Sequence, residues 1–265
     1  MNDVWINGRS ASVAELDAIA ATQYGHFTTL QVRGGAARGL DLHLRRLRDA
    51  TGELFATLLE PERIRDAMRQ ALHASGARDC TLRFAVHARD FDPEADAMPA
   101  SLDLVVRIAA PAEPDGHALR LKSFPYARPV AHLKHVGTLP QFQRRRLAVR
   151  DGFDDALFVG PDGRVSEGSF WNIGFLDGDT IVWPHAPALR GTCERLLQAG
   201  LAELGVSQEA RPVALADLVG MRGAFTANSR GVQAVAAVDD VAWTPDSDLA
   251  GLLGRALAGQ PWQPL

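Results

Sequence analysis

Two consecutive hairpin patterns in the second half of the chain constrain its fold more than any other sequence feature. They read ALFVGPDGRVSEG and FWNIGFLDGDTIVWP, and each places a strong turn signal between two runs of apolar and β-branched residues. The turns are predicted at Pro161-Asp162-Gly163 and Asp177-Gly178-Asp179. A helix is predicted to begin beside Gly191-Thr192. This half of the chain therefore mixes hairpins with helices.

A proline-rich stretch divides the chain. Residues 110–116 (APAEPDG) combine two prolines, a glycine and acidic residues, which is typical of a linker. Before it, strand patterns at residues 27–32 and 80–87 flank helical spacing that begins at Asp41. The predicted organisation is an N-terminal α+β domain over residues 1–109, a linker over 110–116 and a C-terminal α/β domain over 117–265.

Charge and composition exclude several classes of function. The formal net charge of −4 argues against a nucleic-acid-binding surface, which needs positive potential. No run of roughly 18 apolar residues is present, so no membrane association is expected. The two cysteines, Cys80 and Cys193, support neither a disulfide framework nor a metal site and fit a cytoplasmic location. A small molecule is therefore the expected partner.

Lysine is rare in this chain. Of 28 basic residues only Lys122 and Lys134 are lysines. Arginine keeps its charge in proteins, whereas a buried lysine can become a neutral, nucleophilic amine. Lys134 lies in HLKHVGTLPQ, between a predicted strand and a predicted helix, where loops often carry functional groups. Lys122 lies within a predicted strand, and solvent exposure is the ordinary alternative for either residue.

Three segments downstream of Lys134 add polar groups. SEGSFWNI places Glu167 among apolar residues, where a carboxylate is costly to bury without a cation. In LRGTCER a glycine and a threonine begin a helix, and the N–H groups at a helix start suit a phosphate. TANSRG is a small polar cluster after a strand. Taken singly, these segments also fit a surface glutamate, an ordinary helix cap and a turn.

Together, these segments resemble the class IV (fold type IV) pyridoxal-5′-phosphate (PLP) enzymes, which include branched-chain and D-amino-acid aminotransferases and 4-amino-4-deoxychorismate lyase. The chain matches Val-x-Glu-Gly-Ser-x-x-Asn at residues 165–172 and His-Leu-x-Arg-Leu at residues 43–47. It matches Gly-x-Asp-Glu-Ala-Leu at residues 152–157, with Asp155 in place of the glutamate. The resemblance implies a two-domain α/β (α+β) protein with the D-amino-acid aminotransferase-like fold, usually a homodimer.

The resemblance also implies roles for individual residues. Lys134 would be the Schiff-base lysine and general base, and Glu167 would hold the pyridine nitrogen of PLP. The residues expected to bind the cofactor phosphate are Arg46, Thr192, Cys193, Asn228 and Ser229. The residues expected near the substrate are Phe27, Thr29, Arg128 and Arg190. Thr28 stands where many members have glutamate, and His132 with His135 lacks a third ligand, so no metal is expected.

The expected reaction is transfer of an amino group between an amino acid or amine and a keto acid. The alternative is 4-amino-4-deoxychorismate lyase, which releases pyruvate. It is favoured by Leu-Lys-His-Val-x-x-Leu-x-Gln around the lysine, where Leu139 stands in the place of the tyrosine of branched-chain enzymes. A binding protein without catalysis on the same fold is a third interpretation.

Overall fold

The computed structural model describes residues 3–92, 94–95 and 101–265. Its α-helices are α1 (Val13–Ala21), α2 (Leu40–Phe55), α3 (Pro61–Ser75), α4 (Leu139–Arg150), α5 (Thr192–Glu203) and α6 (Ser247–Ala258). Its strands are β1 (Asp3–Ile6), β2 (Arg9–Ser10), β3 (Gly25–Val32), β4 (Ala36–Arg38), β5 (Cys80–His87), β6 (Asp103–Ala109), β7 (Leu119–Pro125), β8 (Asp155–Val159), β9 (Val165–Gly168), β10 (Asn172–Asp177), β11 (Thr180–Pro184), β12 (Gln208–Arg211), β13 (Gly223–Asn228), β14 (Gly231–Val238), β15 (Val241–Ala242) and β16 (Trp262–Pro264). A short 3₁₀ helix spans Leu215–Gly220.

The chain divides into two compact units, each of which mixes helices and strands. The first unit contains Met1–Ala112, Leu133–Gly137 and Trp262–Leu265, and the second contains Glu113–His132 and Thr138–Pro261. The mixed helix and sheet class expected from the sequence is confirmed, whereas the domain bounds 1–109 and 117–265 stay a prediction. Among the described residues, no helix combines the length and apolar character needed to span a bilayer.

The first unit is built on an antiparallel sheet in the order β2-β1-β6-β5-β3. Alternate residues of its strands, such as Leu30, Leu82 and Phe84, join a buried cluster with residues of α2 and α3, including Leu47 and Ile64. Because side chains alternate along a strand, the residues between them point to the opposite face of the sheet. Phe27 on β3 belongs to that second set.

The sequence interpretation missed α1, although its start carries a clear signal. The Ser12 hydroxyl accepts from the Glu15 backbone N–H at 3.3 Å, and the Glu15 carboxylate accepts from the Ser12 N–H at 3.0 Å. This reciprocal arrangement is a capping box. Glu15 also accepts from the guanidinium of Arg89 at 2.9 Å, which ties the start of α1 to the end of β5.

The second unit contains a sheet in the order β12-β11-β10-β13-β14-β7-β8-β9, with β15 paired to β14. β9 also pairs with β10 through Glu167 and Asn172, so β10, β13, β14, β7, β8 and β9 form a closed ring of six strands. Both predicted hairpins are confirmed as β8–β9 and β10–β11. Their turns place Gly163 and Gly178 at positive φ, which glycine adopts without strain.

Two buried histidines of the first unit lie between β3 and α2. The Thr51 hydroxyl donates to the Leu47 carbonyl at 2.8 Å and therefore accepts from His26 Nε2, which lies 2.9 Å away. His43 Nδ1 lies 2.6 Å from the hydroxyl of Thr28. Burial lowers the pKa of His26 to about 3 and that of His43 to about 3. Both imidazoles are therefore neutral at pH 7.

We expect these histidines to make the fold acid-sensitive. An unfolded histidine takes up a proton near pH 6.5, whereas the folded pKa of each is lowered, so stability present above pH ~6.5 is lost as the pH falls towards 3. Between pH 7 and 5 each histidine should remove about 2 kcal/mol from the free energy of unfolding, measured by urea titration. His26→Gln can keep the donated hydrogen bond but takes up no proton. The loss in the free energy of unfolding between pH 7 and 5 should therefore be smaller in this variant, by about 2 kcal/mol. An unchanged pH dependence in that variant would contradict the assignment.

Candidate active site

Lys134 is held to the first unit through its backbone. The Phe27 N–H donates to the Lys134 carbonyl at 2.9 Å, and the Val136 N–H donates to the Gly25 carbonyl at 3.0 Å. The lysine segment Leu133–Gly137 is thus fastened along the edge of β3. The Lys134 Nζ lies 4.9 Å from the centre of the Phe27 ring, within the range of a cation–π contact. The structure therefore brings together Lys134 and the predicted substrate-side residue Phe27.

The predicted phosphate ligand Arg46 lies on the same unit. Its side chain is partly buried, whereas the neighbouring Arg45 is exposed. The low pKa of His43 is caused first by burial and then by the positive charges of Arg46 and Lys134. Both cations therefore act on one neutral imidazole, although they are far apart in sequence.

Sequence reasoning missed Arg83, which stacks on Phe27. Its guanidinium carbon lies 3.5 Å from the centre of the ring. On β5, Arg83 faces Thr29 on one side and Arg107 on the other. Adjacent like charges on a sheet repel each other, so an anion bound at this surface would relieve the repulsion. The alternation of β5, which leaves Arg83 as an exposed position between buried ones, was the available signal.

Lys122 lies in a different environment. It is on β7, about a third of its side chain is exposed, and its Nζ lies 2.6 Å from the carboxylate of Asp151. This carboxylate has its pKa lowered by the hydrogen bond from Lys122. The amine of Lys122 is thus engaged in an ion pair at the surface, whereas a nucleophilic lysine must present its amine to a cofactor or substrate.

Glu167 is only 5% exposed. Its Oε1 lies 3.7 Å from Nη1 of Arg128, and its Oε2 accepts from the Leu189 N–H at 3.3 Å. The sequence predicted that this carboxylate would need a cation, and the structure supplies Arg128. Arg128 was also considered as a substrate ligand, and here its guanidinium lies beside Glu167.

Glu167 belongs to a network that fixes the segment before α5. Asn172, its strand partner, donates to the Leu189 carbonyl at 2.6 Å and accepts from the Gly191 N–H at 3.1 Å. A Cβ at Gly191 would lie 2.2 Å from the Asn172 amide oxygen, so only glycine fits there. The carboxylate and the start of α5 are therefore positioned by the same few hydrogen bonds.

Arg190 is committed to this loop. Its guanidinium donates to the carbonyls of Pro184 and Ala186, each at 2.9 Å, and to the Glu194 carboxylate at 3.1 Å. Glu194 is almost fully buried, and burial raises its pKa. These contacts describe a residue that ties β11 to α5. A direct role for Arg190 in substrate binding stays a prediction.

The start of α5 offers donors for an anion. Thr192 is 7% exposed, and its hydroxyl has no hydrogen-bond partner among the described residues. The Cys193 sulfur lies 3.9 Å from the Gly231 carbonyl, which places the turn after β13 next to this helix start. In that turn Asn228 and Ser229 are partly exposed. A buried hydroxyl without a partner, at a helix N-terminus, fits the phosphate of PLP.

The chain is similar to known proteins both in sequence and in fold. The model of the family described as amino-transferase class IV matches residues 25–238. No curated protein sequence matches the chain significantly. Among solved structures, 4-amino-4-deoxychorismate lyase from Pseudomonas aeruginosa is 26% identical, with a TM-score of 0.80, covering 97% of this chain and 98% of that one.

Two further structures share the fold at lower identity. The branched-chain aminotransferase from the archaeon Thermoproteus uzoniensis is 16% identical, with a TM-score of 0.85 over 97% of this chain and 94% of that chain. The PLP-bound form of a hypothetical aminotransferase from Mycobacterium tuberculosis is 21% identical, with a TM-score of 0.78 over 90% of this chain and 89% of that chain. The predicted fold type is confirmed. Since the family model spans most of the sequence, this chain belongs to the class IV aminotransferase family, whose members depend on PLP.

Proposed function

We propose that this protein binds PLP through Lys134 and moves an amino group between an amino acid or amine and a keto acid. The observation that carries the proposal is the fixed position of Lys134, whose backbone is hydrogen-bonded to β3 while its amine lies against Phe27. Fixing the backbone limits where the flexible lysine side chain can reach, and the Phe27 ring provides a surface for its amine. The other lysine, Lys122, is paired with Asp151.

Bound PLP supplies an aldehyde for a lysine amine and a ring that accepts electrons. Lys134 would hold the cofactor at its aldehyde carbon, and its amine, once free, would act as the base that moves a proton at the substrate Cα. Glu167 would pair with the ring nitrogen and favour its protonated form. The residues that would hold the phosphate are Arg46, Thr192, Cys193, Asn228 and Ser229. The hydroxyl of Thr192, which has no partner in the described part of the chain, supports this set.

The substrate carboxylate is assigned to the surface beside Phe27. Arg83 supplies a fixed guanidinium on that ring, and Thr29 lies opposite it on β3. Arg107 adds a second positive charge in register with Arg83. Arginine is well suited to a carboxylate because its donors match the two oxygens. Arg128 and Arg190 instead have partners within the second unit.

A lyase that releases pyruvate from 4-amino-4-deoxychorismate is the second candidate. It is favoured by the 26% identity to the Pseudomonas aeruginosa enzyme of that name, which extends over nearly the whole of both chains. Leu139, which follows the lysine segment and stands in the place of the tyrosine of branched-chain enzymes, also favours the lyase. The two reactions share the lysine and the cofactor and differ in the fate of the bonds around the substrate.

Lys134→Ala should abolish the absorbance band, seen between roughly 330 and 430 nm after the spectrum of free PLP is subtracted, that PLP develops when it is bonded to a lysine. Lys122→Ala, the matched control, should leave the band unchanged because Lys122 is paired with Asp151. The spectra of the purified variants are recorded during titration with PLP. The reverse pattern would move the lysine role to Lys122, and no band in the unmutated protein would indicate a binding protein without this chemistry.

The reaction is tested by product analysis. We expect the protein to form keto acids from a panel of amino acids and amines offered with a keto acid acceptor. Pyruvate release from aminodeoxychorismate as the sole activity would overturn the first choice in favour of the lyase. In whichever assay is positive, Arg83→Ala should raise KM about tenfold or more with a smaller change in kcat, because it removes a charged hydrogen bond to the substrate.

A second copy of this chain is proposed to cover the outer face of α4. Three apolar residues at helical spacing are exposed on α4: Leu139 at 78%, Phe142 at 50% and Val149 at 49%. Phe170 extends the apolar surface, since its ring centre lies 4.9 Å from that of Phe142. Exposed apolar side chains grouped in this way are typical of a subunit contact. Family members are usually homodimers, which supports this contact. The cytoplasmic location of the protein stays a prediction.

Phe142→Asp should convert the dimer to a monomer, because a charge would be buried without a partner at the contact. Mass is measured by size-exclusion chromatography with light scattering. Val219→Asp, at an exposed apolar residue outside the α4 face, is the matched control and should leave the mass unchanged. A dimer that tolerates Phe142→Asp would place the contact elsewhere, and a monomeric unmutated protein would remove the proposal.

A further inference from the structure

We propose that Asp155 is a positioning residue for Glu167, an inference that rests on the proposed role of Glu167 toward the cofactor nitrogen. Asp155 lies at the start of β8 and is 7% exposed. The family pattern has glutamate at this position. The aspartate of this chain is shorter, but it keeps a buried carboxylate there.

Two side chains of the turn that follows Glu167 donate hydrogen bonds to Asp155. Its Oδ1 accepts from the Ser169 hydroxyl at 2.5 Å and from the Ala156 N–H at 2.7 Å. Its Oδ2 accepts from the Trp171 indole N–H at 3.0 Å and lies 3.4 Å from Nε of Arg145. Both oxygens are thus engaged, and two of the four donors belong to one short turn.

That turn sets the position of Glu167. It joins β9 to β10, where Glu167 and Asn172 are register partners and close the ring of six strands. The Gly168 N–H donates to the Trp171 carbonyl at 2.9 Å, and a Cβ at Gly168 would lie 2.2 Å from the Trp171 ring. The tryptophan side chain is therefore packed directly on the residue after Glu167. Movement of Trp171 would be transmitted to the carboxylate through a single residue.

An aspartate suits this role because it accepts hydrogen bonds through both oxygens at once. An asparagine has the same shape but one oxygen and one NH₂ group. In one orientation of the amide the Trp171 indole N–H loses its acceptor and faces the NH₂ group. In the other orientation the Ser169 hydroxyl can turn to accept, but the Ala156 N–H loses its acceptor. A buried donor without an acceptor is costly, so the turn would shift to relieve it.

The test compares Asp155→Asn with Asp155→Glu in the full-length protein. Asp155→Asn should weaken PLP binding about tenfold, measured by titrating the absorbance band, and should move the pH midpoint of that band upward. The shift is expected because a poorly placed Glu167 protonates the ring nitrogen less often, and the ring then withdraws less electron density from the lysine nitrogen. Asp155→Glu, which restores a carboxylate, should stay close to the unmutated protein in both quantities.

Asp179→Asn is the matched control, since this carboxylate is fully exposed in the β10–β11 turn. It should change neither quantity. Should Asp155→Asn fail to fold, the combination of Ser169→Ala with Trp171→Phe removes the two donors of this turn and keeps an aromatic ring, smaller than the indole, beside Gly168. The same loss of affinity and the same pH shift are expected from it.

Unchanged affinity and pH midpoint in the variants that fold would overturn the inference, and so would equal losses in Asp155→Asn and Asp155→Glu. Failure of the proposed function would look different. In that case the unmutated protein would show no band that depends on Lys134, before any change at Asp155 is made.

Discussion

The burial of the Glu167 carboxylate is the constraint on which the arrangement of the second unit depends. A charge removed from water must be met by opposite charge and by donors, or the fold is destabilised by several kcal/mol. Arg128 and the Leu189 N–H meet this need from two sides. Because Leu189 lies just before α5, the hydrogen bond that stabilises the charge also fixes the helix start that carries Thr192. The electrostatics of Glu167 and the geometry of the proposed phosphate site are therefore coupled.

In the first unit the corresponding constraint is positional. A four-carbon side chain is flexible, so a lysine is precise only if its backbone is fixed. The hydrogen bonds between the lysine segment and β3 fix that backbone, and Phe27, on the same strand, provides the surface against which the amine lies. One strand therefore positions both the lysine and its aromatic neighbour.

Local signals predicted much of the fold from the sequence. Turn residues located both hairpins, and helical spacing of apolar residues located α2 and α5. Family motifs identified Lys134, Glu167 and Phe27 as candidates, but no local pattern could pair Glu167 with Arg128 or Phe27 with Arg83. Arg128 reaches Glu167 across 39 positions in sequence, and Arg83 reaches Phe27 across a strand pair. Such contacts are set by tertiary packing, to which a single sequence gives little access. The missed α1 is different, because Ser12 and Glu15 carried a readable signal.

Thr28 stands where many family members have glutamate, and this one difference changes the electrostatics of the first unit. A carboxylate facing His43 would favour the charged imidazolium, since an opposite charge nearby raises the pKa of histidine. Thr28 brings a neutral hydroxyl to the same ring nitrogen, and burial with the charges of Arg46 and Lys134 then lowers the pKa of His43 to about 3. The imidazole stays neutral, so no extra charge is added beside the two cations.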